Sequence, residues 1–431
     1  MAKSMTDKKI NWAGFSKKSP KERIEHLEKN NLLDTSSSDK LIKNEQLSLA
    51  TANQMVENVL ANFSLPFALA PDFLIDEKNY HVPFVTEEPS VVAAASFAAK
   101  IIKRSGGFTT RIHNRKMIGQ VALYQVPDKK RAVQQLLEVK DILLAIANQS
   151  HPSIVTRGGG ACDLSISIKD EFVIVYLVVD TQEAMGANIV NTMMESLTPT
   201  LEELSEGKSL MAILSNYATE SLVTSECQVD LRFLDRDPKK ARESAEKIVL
   251  ASKLADLDIY RASTHNKGIF NGIDAVALAT GNDWRAIESG GHTYACKDGQ
   301  YHGLSTWRFD QENNVLKGSL TLPMPIATKG CSIGLNPTVQ VAHQLLNHPT
   351  AKELASVIVS VGLAQNFAAL KALTGRGIQA GHMKLHAKSL ALLAGASEDE
   401  VNQVLPKLLG SNHLNLKTAK DILRKIREKK N

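Results

Sequence analysis

"CDLSISIKDEFVIVYLVVD", Cys162 to Asp180, decides the fold. Two short apolar runs flank the charged pair Lys169-Asp170, and the stretch reads as a β-hairpin turned there. Upstream, "MIGQVALYQV" from Met117 reads as a strand and "DKKRAVQQLLEVKDILLAIANQ" as a helix. Downstream, "EAMGANIVNTMMESLTPTLEEL" reads as a second helix and "SECQVDLRFL", ending at Leu234, as the closing strand. The order β-α-β-β-α-β predicts a ferredoxin-like unit of about a hundred residues inserted in a larger chain.

The flanks supply that larger body. "SPKERIEHL" opens a helix with a capping box, Ser19 as N-cap, Pro20 at the first turn and Glu22 reaching back. Gln46 to Phe63 has helical spacing, Phe67 to Val85 fits two strands, and "EEPSVVAAASFAAKIIKRSGG" starts a helix at Pro89 and stops it at Gly106-Gly107. Further on come a helix near "PKKARESAEKIVLASKLADLD", strands at "STWRFD" and "VLKGSLTLPMPIA", and apolar helices at "PTVQVAHQLLN" and "TAKELASVIVSVGLAQNFAALKALT". Three glycines in "TGRGIQAG" break the pattern before a short all-helical tail, a hinge that suggests mobility.

At 431 residues, 43% hydrophobic and 23% charged, the chain is long enough for two or three globular domains. A net charge of +5 suits anionic metabolites and is too small to argue for nucleic acid. Cys162, Cys227, Cys296 and Cys331 form no C-x-x-C pair, so neither a structural zinc site nor a disulfide framework is signalled. The N-terminus "MAKSMTDKKINWAGFSKKSPKERIEHL" lacks a signal peptide's apolar core, and no stretch approaches the roughly 18 apolar residues of a membrane span. A soluble, cytoplasmic protein with no membrane partner is expected.

Several stretches carry candidate chemistry. "HNKGIFNGIDAVALATGNDWRAIESGGHTYA", His265 to Ala295, is so dense in Gly and Asn that it reads as a looped surface, with Lys267 a loop lysine and Asp283 the cap of a helix beginning at Trp284. In "VVDTQEAMGANIVNTM", Gly186 and Asn188 stand at a helix start after a strand, where free N–H groups favour a phosphate. "RGGGACD", Arg157 to Asp163, is a second glycine-rich turn, and the two could hold a pyrophosphate; tight packing would equally explain either. "GHMKLH" sets His382 and His386 at i and i+4, yet lacks the glutamate of a zinc motif, so no metal site is expected. "TEEPS" places Glu87 and Glu88 ahead of a helix. The hairpin strands lack the basic-glycine-aromatic signature of RNA-binding sheets, so no nucleic-acid partner is expected.

Taken in order, "ENVLANFSLP", "VTEEPSVVAAAS", "GGFTTR", "GGGACD", "EAMGANIVNTM", "LSNYA", "YRASTHNKGIFNGIDAVALATGNDWRAIE", "LPMPIA" and "GHMKLHAKS" resemble the 3-hydroxy-3-methylglutaryl-coenzyme A (HMG-CoA) reductases, and more narrowly their soluble bacterial class II. The resemblance runs from about Met55 to the C-terminal helices. It implies an α+β fold: a large mixed α/β substrate domain (1–112 and 222–376, the CoA/HMG site), an inserted ferredoxin-like NAD(P)-binding domain (113–221), and a C-terminal helical flap (377–431). The implied reaction is the four-electron reduction of HMG-CoA to mevalonate and CoA in isoprenoid biosynthesis. The alternatives are the oxidative direction with NAD, or a non-catalytic CoA- or nucleotide-binding homologue.

By the same resemblance Glu88, Lys267, Asp283 and His382 are catalytic. Lys267 would stabilise the oxyanion left by the first hydride, Asp283 would hold the lysine charged and oriented, His382 would protonate the departing CoA thiolate, and Glu88 would protonate the final alkoxide. Ser90, Arg261, Asn271 and Asn216 would contact substrate, with Arg261 on its carboxylate. Met185, Gly186, Ala187 and Asn188 would contact the cofactor, with His151 and Arg157 nearby. Around "ANQSHPSIVTRGGG" no acidic residue stands where a ribose 2′-hydroxyl would be held, and His151 occupies the region, so NADPH is expected over NADH. An obligate homodimer with the site at the subunit interface is implied. Glu183 replaces the usual Asp before Ala-Met-Gly, and Leu60-Ala61 the usual Ile-Gly.

Overall fold

The computed structural model describes residues 10–375 and 379–428, apart from the side chains of 331–332, 379–385 and 398. The chain first forms α1 (Pro20–Lys29), α2 (Thr35–Ile42), α3 (Leu49–Met55), the hairpin β1 (Phe67–Ile75) and β2 (Lys78–Val85), α4 (Val91–Arg104) and β3 (Phe108–Ile112). Then follow β4 (Met117–Tyr124), α5 (Lys129–Glu138), α6 (Lys140–Ser150), α7 (Pro152–Thr156), β5 (Gly160–Lys169), β6 (Phe172–Asp180), α8 (Ala187–Ser205) and β7 (Lys208–Ser215). The chain continues through β8 (Leu222–Asp230), α9 (Pro238–Leu257), α10 (Ile259–Ala279), α11 (Trp284–Ala295), β9 (Ser305–Asp310), β10 (Val315–Pro323), α12 (Pro337–Leu345) and α13 (Ala351–Thr374). It ends in α14 (Gln379–Leu393), α15 (Glu398–Leu409) and α16 (Leu416–Glu428).

Two sheets result. The four-stranded one runs β5-β6-β4-β7, every pair antiparallel, the strand order of a ferredoxin-like βαββαβ unit. The six-stranded one runs β2-β1-β3-β8-β10-β9. In it β3 pairs with β8, Phe108 opposite Cys227 and Ile112 opposite Val223, so the smaller sheet interrupts two strands that are neighbours in the larger. "SECQVDLRFL" therefore belongs to the large sheet, and the small sheet closes instead with "KSLMAILS". The cause is the turn at Glu206 (φ 54) and Gly207, which sends the chain from α8 straight back alongside β4. On this edge strand Leu210, Met211 and Ile213 are exposed, which hides the usual alternation.

Each sheet has its own apolar core. Val121, Val175, Leu177, Met193 and Leu197 fill the smaller one; Phe73, Phe84, Ile102, Phe270, Trp307 and Phe367 fill the larger. Buried along nearly its whole length, α13 packs against α4, α9 and α10. It is the only helix among the described residues long and apolar enough to cross a membrane, and 89% of that apolar window lies inside the protein, which makes it a core helix. The tail helices share a separate small core of Ala387, Val404, Leu408, Ala419 and Leu423. Of the stretch Gln46 to Phe63, only Leu49–Met55 is helical. Val56, Leu60 and Phe63 beyond it are strongly exposed, so this chain offers no apolar surface against which a longer helix could pack.

Candidate active site

The looped reading fails from His265 to Ala279, which is helix α10, while the helix expected from Trp284 with Asp283 as its cap is present as α11. Asp258 caps α10, its carboxylate accepting from the Arg261 amide at 2.7 Å, and the helix runs unbroken through Lys267, Gly268, Asn271 and Gly272. Its glycines permit contact rather than turning. A Cβ on Gly272 would meet Gln365 Cγ at 2.5 Å and Val361 Cγ1 at 2.8 Å, so α10 and α13 approach as closely as they do only because that position is bare. On α11, Gly290 lies against the Asn216 carbonyl and Gly291 against the Phe270 ring. Only Gly281, with φ +72, forms a turn, between the two helices.

Spacing of three and four along α10 lines up Lys267, Asn271 and Asp274. Ahead of α4, Ser90 takes a left-handed conformation (φ 77) and directs the preceding Glu88 toward that row. Lys267 Nζ pairs with one Glu88 oxygen and Asn271 Nδ2 donates to the other at 3.3 Å. Lys267, Glu88 and Asn271, with Ser90, Arg261 and Gly268, line a cavity of about 1090 Å³ whose lining also carries Lys240, Lys247 and Lys371. An apolar strip of Val91, Ala94, Phe97, Ala368 and Leu373 lies in the same lining. A lining that combines these cations with apolar side chains suits an anionic ligand with an apolar part. The Lys267 and Glu88 side chains are 59% and 37% exposed, so the pair is water-screened unless something covers it.

In the small unit, Gly186 caps α8 with φ 93 and no side-chain cap, leaving first-turn amides without intrahelical acceptors. Any side chain at 186 would collide with Thr181. The Arg157 to Gly160 turn lies alongside: Gln182 Nε2 donates to the Gly158 carbonyl at 3.2 Å, and Gly159 is pressed against the Asp180 carbonyl. His151 precedes α7 with Nδ1 3.1 Å from Ser153 Oγ, while Arg157 Nε donates to the Ser153 carbonyl at 3.0 Å. Both glycine turns, His151 and Arg157 therefore meet at one end of the small sheet. Arg115 braces this end, donating to the Ala184 and Ile326 carbonyls at 3.2 and 2.5 Å.

A profile of the family described as Hydroxymethylglutaryl-coenzyme A reductase matches residues 19–387. The 3-hydroxy-3-methylglutaryl-coenzyme A reductase of Archaeoglobus fulgidus is 42% identical over 392 residues, 90% of this chain and 88% of that one. The chain belongs to the hydroxymethylglutaryl-coenzyme A reductase family. A solved reductase from Streptococcus pneumoniae is 60% identical and superposes with a TM-score of 0.85 over 97% of this chain and all of that one. Another structure, of the class II enzyme of that organism bound to NADPH in open conformations, gives 0.84 at 60% identity over 85% of this chain and all of that one.

For a reductase of this family the remaining positions fall as follows. Asp283 is the N-cap of α11, accepting from the Arg285 and Ala286 amides at 3.1 Å, and its ion pair is with Arg285. Among the described residues it makes neither a hydrogen bond nor an ion pair with Lys267. Asn216 follows β7 beneath α11 and is not among the cavity residues. The His382 side chain lies outside the described residues, and its backbone is in α14. Glu183 has a bracing role, accepting from Thr328 Oγ1 at 2.6 Å and from the Ala351 amide at 2.8 Å, where it anchors the start of α13.

Two groups escaped the sequence reading. His265 lines the cavity yet is almost wholly buried. Asp274 faces Glu288 of α11; burial first, then that second carboxylate, push its pKa up to about 8, with Lys267 pulling the other way. Neither belongs to a recognisable motif. The available signal was helical spacing, which places Asp274 seven residues from Lys267 on one face, and it is visible only once the stretch is read as helix.

Proposed function

We propose that this chain reduces (S)-3-hydroxy-3-methylglutaryl-CoA to (R)-mevalonate and CoA, using two NADPH, in the cytoplasm and as a homodimer. One observation carries the reading: an ammonium paired with a carboxylate whose other oxygen accepts from an amide, Lys267 with Glu88 and Asn271, set in a cavity of about 1090 Å³. That grouping matches the needs of carbonyl reduction, a fixed cation for a developing oxyanion and a neighbouring acid for the proton.

The small unit fits a nicotinamide dinucleotide. The bare, left-handed Gly186 before uncapped α8 amides, packed beside the Arg157 to Gly160 turn, suits a pyrophosphate. Met185, Gly186, Ala187 and Asn188 would hold it, and Arg157 and His151 would accept a 2′-phosphate, consistent with the NADPH named for the Streptococcus pneumoniae structure. When bound, this cofactor supplies the hydride for each reduction.

The chain's own groups do the rest. Arg261 holds the terminal carboxylate through its guanidinium, and Asn271 keeps Glu88 aimed at the reacting carbon. Lys267 Nζ stabilises the oxygen that gains charge as the thioester is reduced. His382 gives its proton to the leaving CoA sulfur, which prevents the thiolate from re-attacking the aldehyde. Glu88 protonates the alkoxide of the second reduction. Because the Lys267 and Glu88 pair is open to water, residues 377–431 act as a flap that closes over it for chemistry and opens for cofactor exchange.

Oxidation of NADPH and of NADH, followed in parallel at 340 nm with HMG-CoA, tests the reading. NADPH oxidation that depends on HMG-CoA and exceeds NADH oxidation is expected; a clear NADH preference removes the cofactor assignment and favours the oxidative direction. Lys267→Ala should lower kcat at least about 1000-fold, the scale of losing an oxyanion donor, with an unchanged circular-dichroism spectrum. Near-normal turnover in that variant would end the mechanism.

A further inference from the structure

We propose that His265 is a substrate-positioning residue whose Nδ1–H donates a hydrogen bond to an oxygen of the acyl-CoA held beside Arg261. The proposal rests on the reading above, and the assignment of the donor follows from a chain of buried hydrogen bonds. Trp307 Nε1, which can only donate, reaches Asn366 Oδ1 at 2.7 Å. The oxygen of Asn366 is thereby turned toward Trp307, with Ser305 Oγ 2.8 Å away; the one Ser305 hydroxyl proton serves either this oxygen or His265 Nε2. Asn366 Nδ2 is left facing His265 Nε2 at 3.0 Å. That nitrogen must therefore accept, and Ser305 Oγ lies 2.7 Å from it on another side.

An imidazole whose Nε2 accepts carries its proton on Nδ1. Burial, reinforced by the Arg261 charge, lowers the pKa to about 4, so the ring is neutral at physiological pH. The consequence is an N–H fixed in direction with no acceptor: Nδ1 is buried and unpartnered among the described residues, in a side chain only 2% exposed. A buried donor left unpaired is destabilising, and a ligand oxygen would relieve that cost. His265 lines the same cavity as Arg261 and Lys267, one turn from the former and two residues from the latter. A neutral donor there adds direction to the cationic Arg261 without adding charge beside Lys267.

Two variants separate positioning from architecture. In His265→Gln the carboxamide reaches the place of Nε2 and keeps the Asn366 and Ser305 contacts, but no donor remains at Nδ1. In His265→Asn the amide nitrogen occupies the place of Nδ1. His265→Gln should lose about 10- to 100-fold in kcat/KM for HMG-CoA and in HMG-CoA affinity measured by calorimetry without cofactor, with KM for NADPH unchanged. His265→Asn should recover at least about tenfold of that loss. Wild-type kcat/KM in His265→Gln, or equal losses in both variants tracking a fall in Tm, would overturn the proposal.

The tautomer is read separately from turnover, by ¹⁵N spectra of histidine-labelled protein assigned by loss of the His265 signals in the variant. Protonated Nδ1 and bare Nε2 are expected, with the Nδ1–H resonance moving on addition of HMG-CoA. The opposite tautomer overturns the donor even in an active enzyme. A wild-type chain with the expected tautomer that neither binds nor reduces HMG-CoA overturns the function and, with it, the acceptor named here.

Discussion

Asp274 shows how one residue near the reacting lysine couples stability to pH. Its Oδ1 is buried with no hydrogen-bond partner among the described residues, Glu288 faces it from α11, and Lys267 on its own helix acts on it electrostatically. The folded carboxyl titrates near pH 8 against an ordinary value of 3.8. Between about pH 4 and 8 the folded chain keeps a proton that the unfolded chain releases, so stability falls as pH rises through that window. Below the window Asp274 contributes no such dependence, because both states are protonated. Asp274→Asn keeps the shape and removes the titration. Its stability should match wild type below about pH 4 and exceed it at pH 8, the difference growing to the order of a few kcal/mol. Thermal melts of both proteins across this range decide it; parallel curves would show that the carboxyl is not held protonated. Glu88, Lys267, Arg261 and Asn271, which the structure brings to one cavity, were legible through the family resemblance and not from their local residues, on which Lys267 reads as a loop lysine. His265 and Asp274 were not, because each depends on a partner more than ten residues away in the chain, on α13 or α11.

Helices α10 and α11 mark the limit of local reading at the next scale. Glycine and asparagine oppose a helix by up to about 1 kcal/mol each, which made the stretch from His265 up to the Asp283 cap read as a looped surface, yet tertiary packing outweighs that preference in α10. Two glycines one turn apart should respond in opposite ways. Gly268 has nothing within 4 Å of its missing Cβ, whereas Gly272 is pressed on Gln365 and Val361. Gln365 in turn donates to the Val91 carbonyl at 3.1 Å and so ties α13 to the start of α4, next to Glu88. Gly268→Ala should stabilise the fold by about 0.5 to 1 kcal/mol and raise KM for HMG-CoA by narrowing the cavity. Gly272→Ala should cost about 1 to 3 kcal/mol and lower kcat/KM as Glu88 shifts. Denaturant midpoints with steady-state kinetics check both, and equal effects at the two positions would contradict this account of why the helix carries glycine. The opening hairpin was legible because its turn and both strands are local; β7 was missed because an exposed edge strand does not show its pairing in its own sequence.

Over the whole molecule, the groups named for the site do not all meet within one chain. Lys267 meets Glu88, but Asp283 is engaged with Arg285 and the amides of α11, while Leu60, Phe63, Leu257 and Tyr260 are 95%, 90%, 74% and 84% exposed. We propose that a second subunit covers these large, open apolar side chains. In a two-fold dimer, an Asp283 that does not reach its own Lys267 can reach the partner's, and each site would then draw one of these groups from each subunit. Mixing tests this directly. Lys267→Ala and Asp283→Ala should each be inactive alone. Co-expressed, they form heterodimers in which one site carries both substitutions and the other neither, so random pairing should restore roughly a quarter of wild-type activity. Sedimentation should show a dimer, and Leu60→Glu with Phe63→Glu should yield folded, inactive monomers. If co-expression restores nothing while the dimer persists, Lys267 and Asp283 serve the same site from one chain, and the separation between them must close by movement within the subunit rather than by assembly.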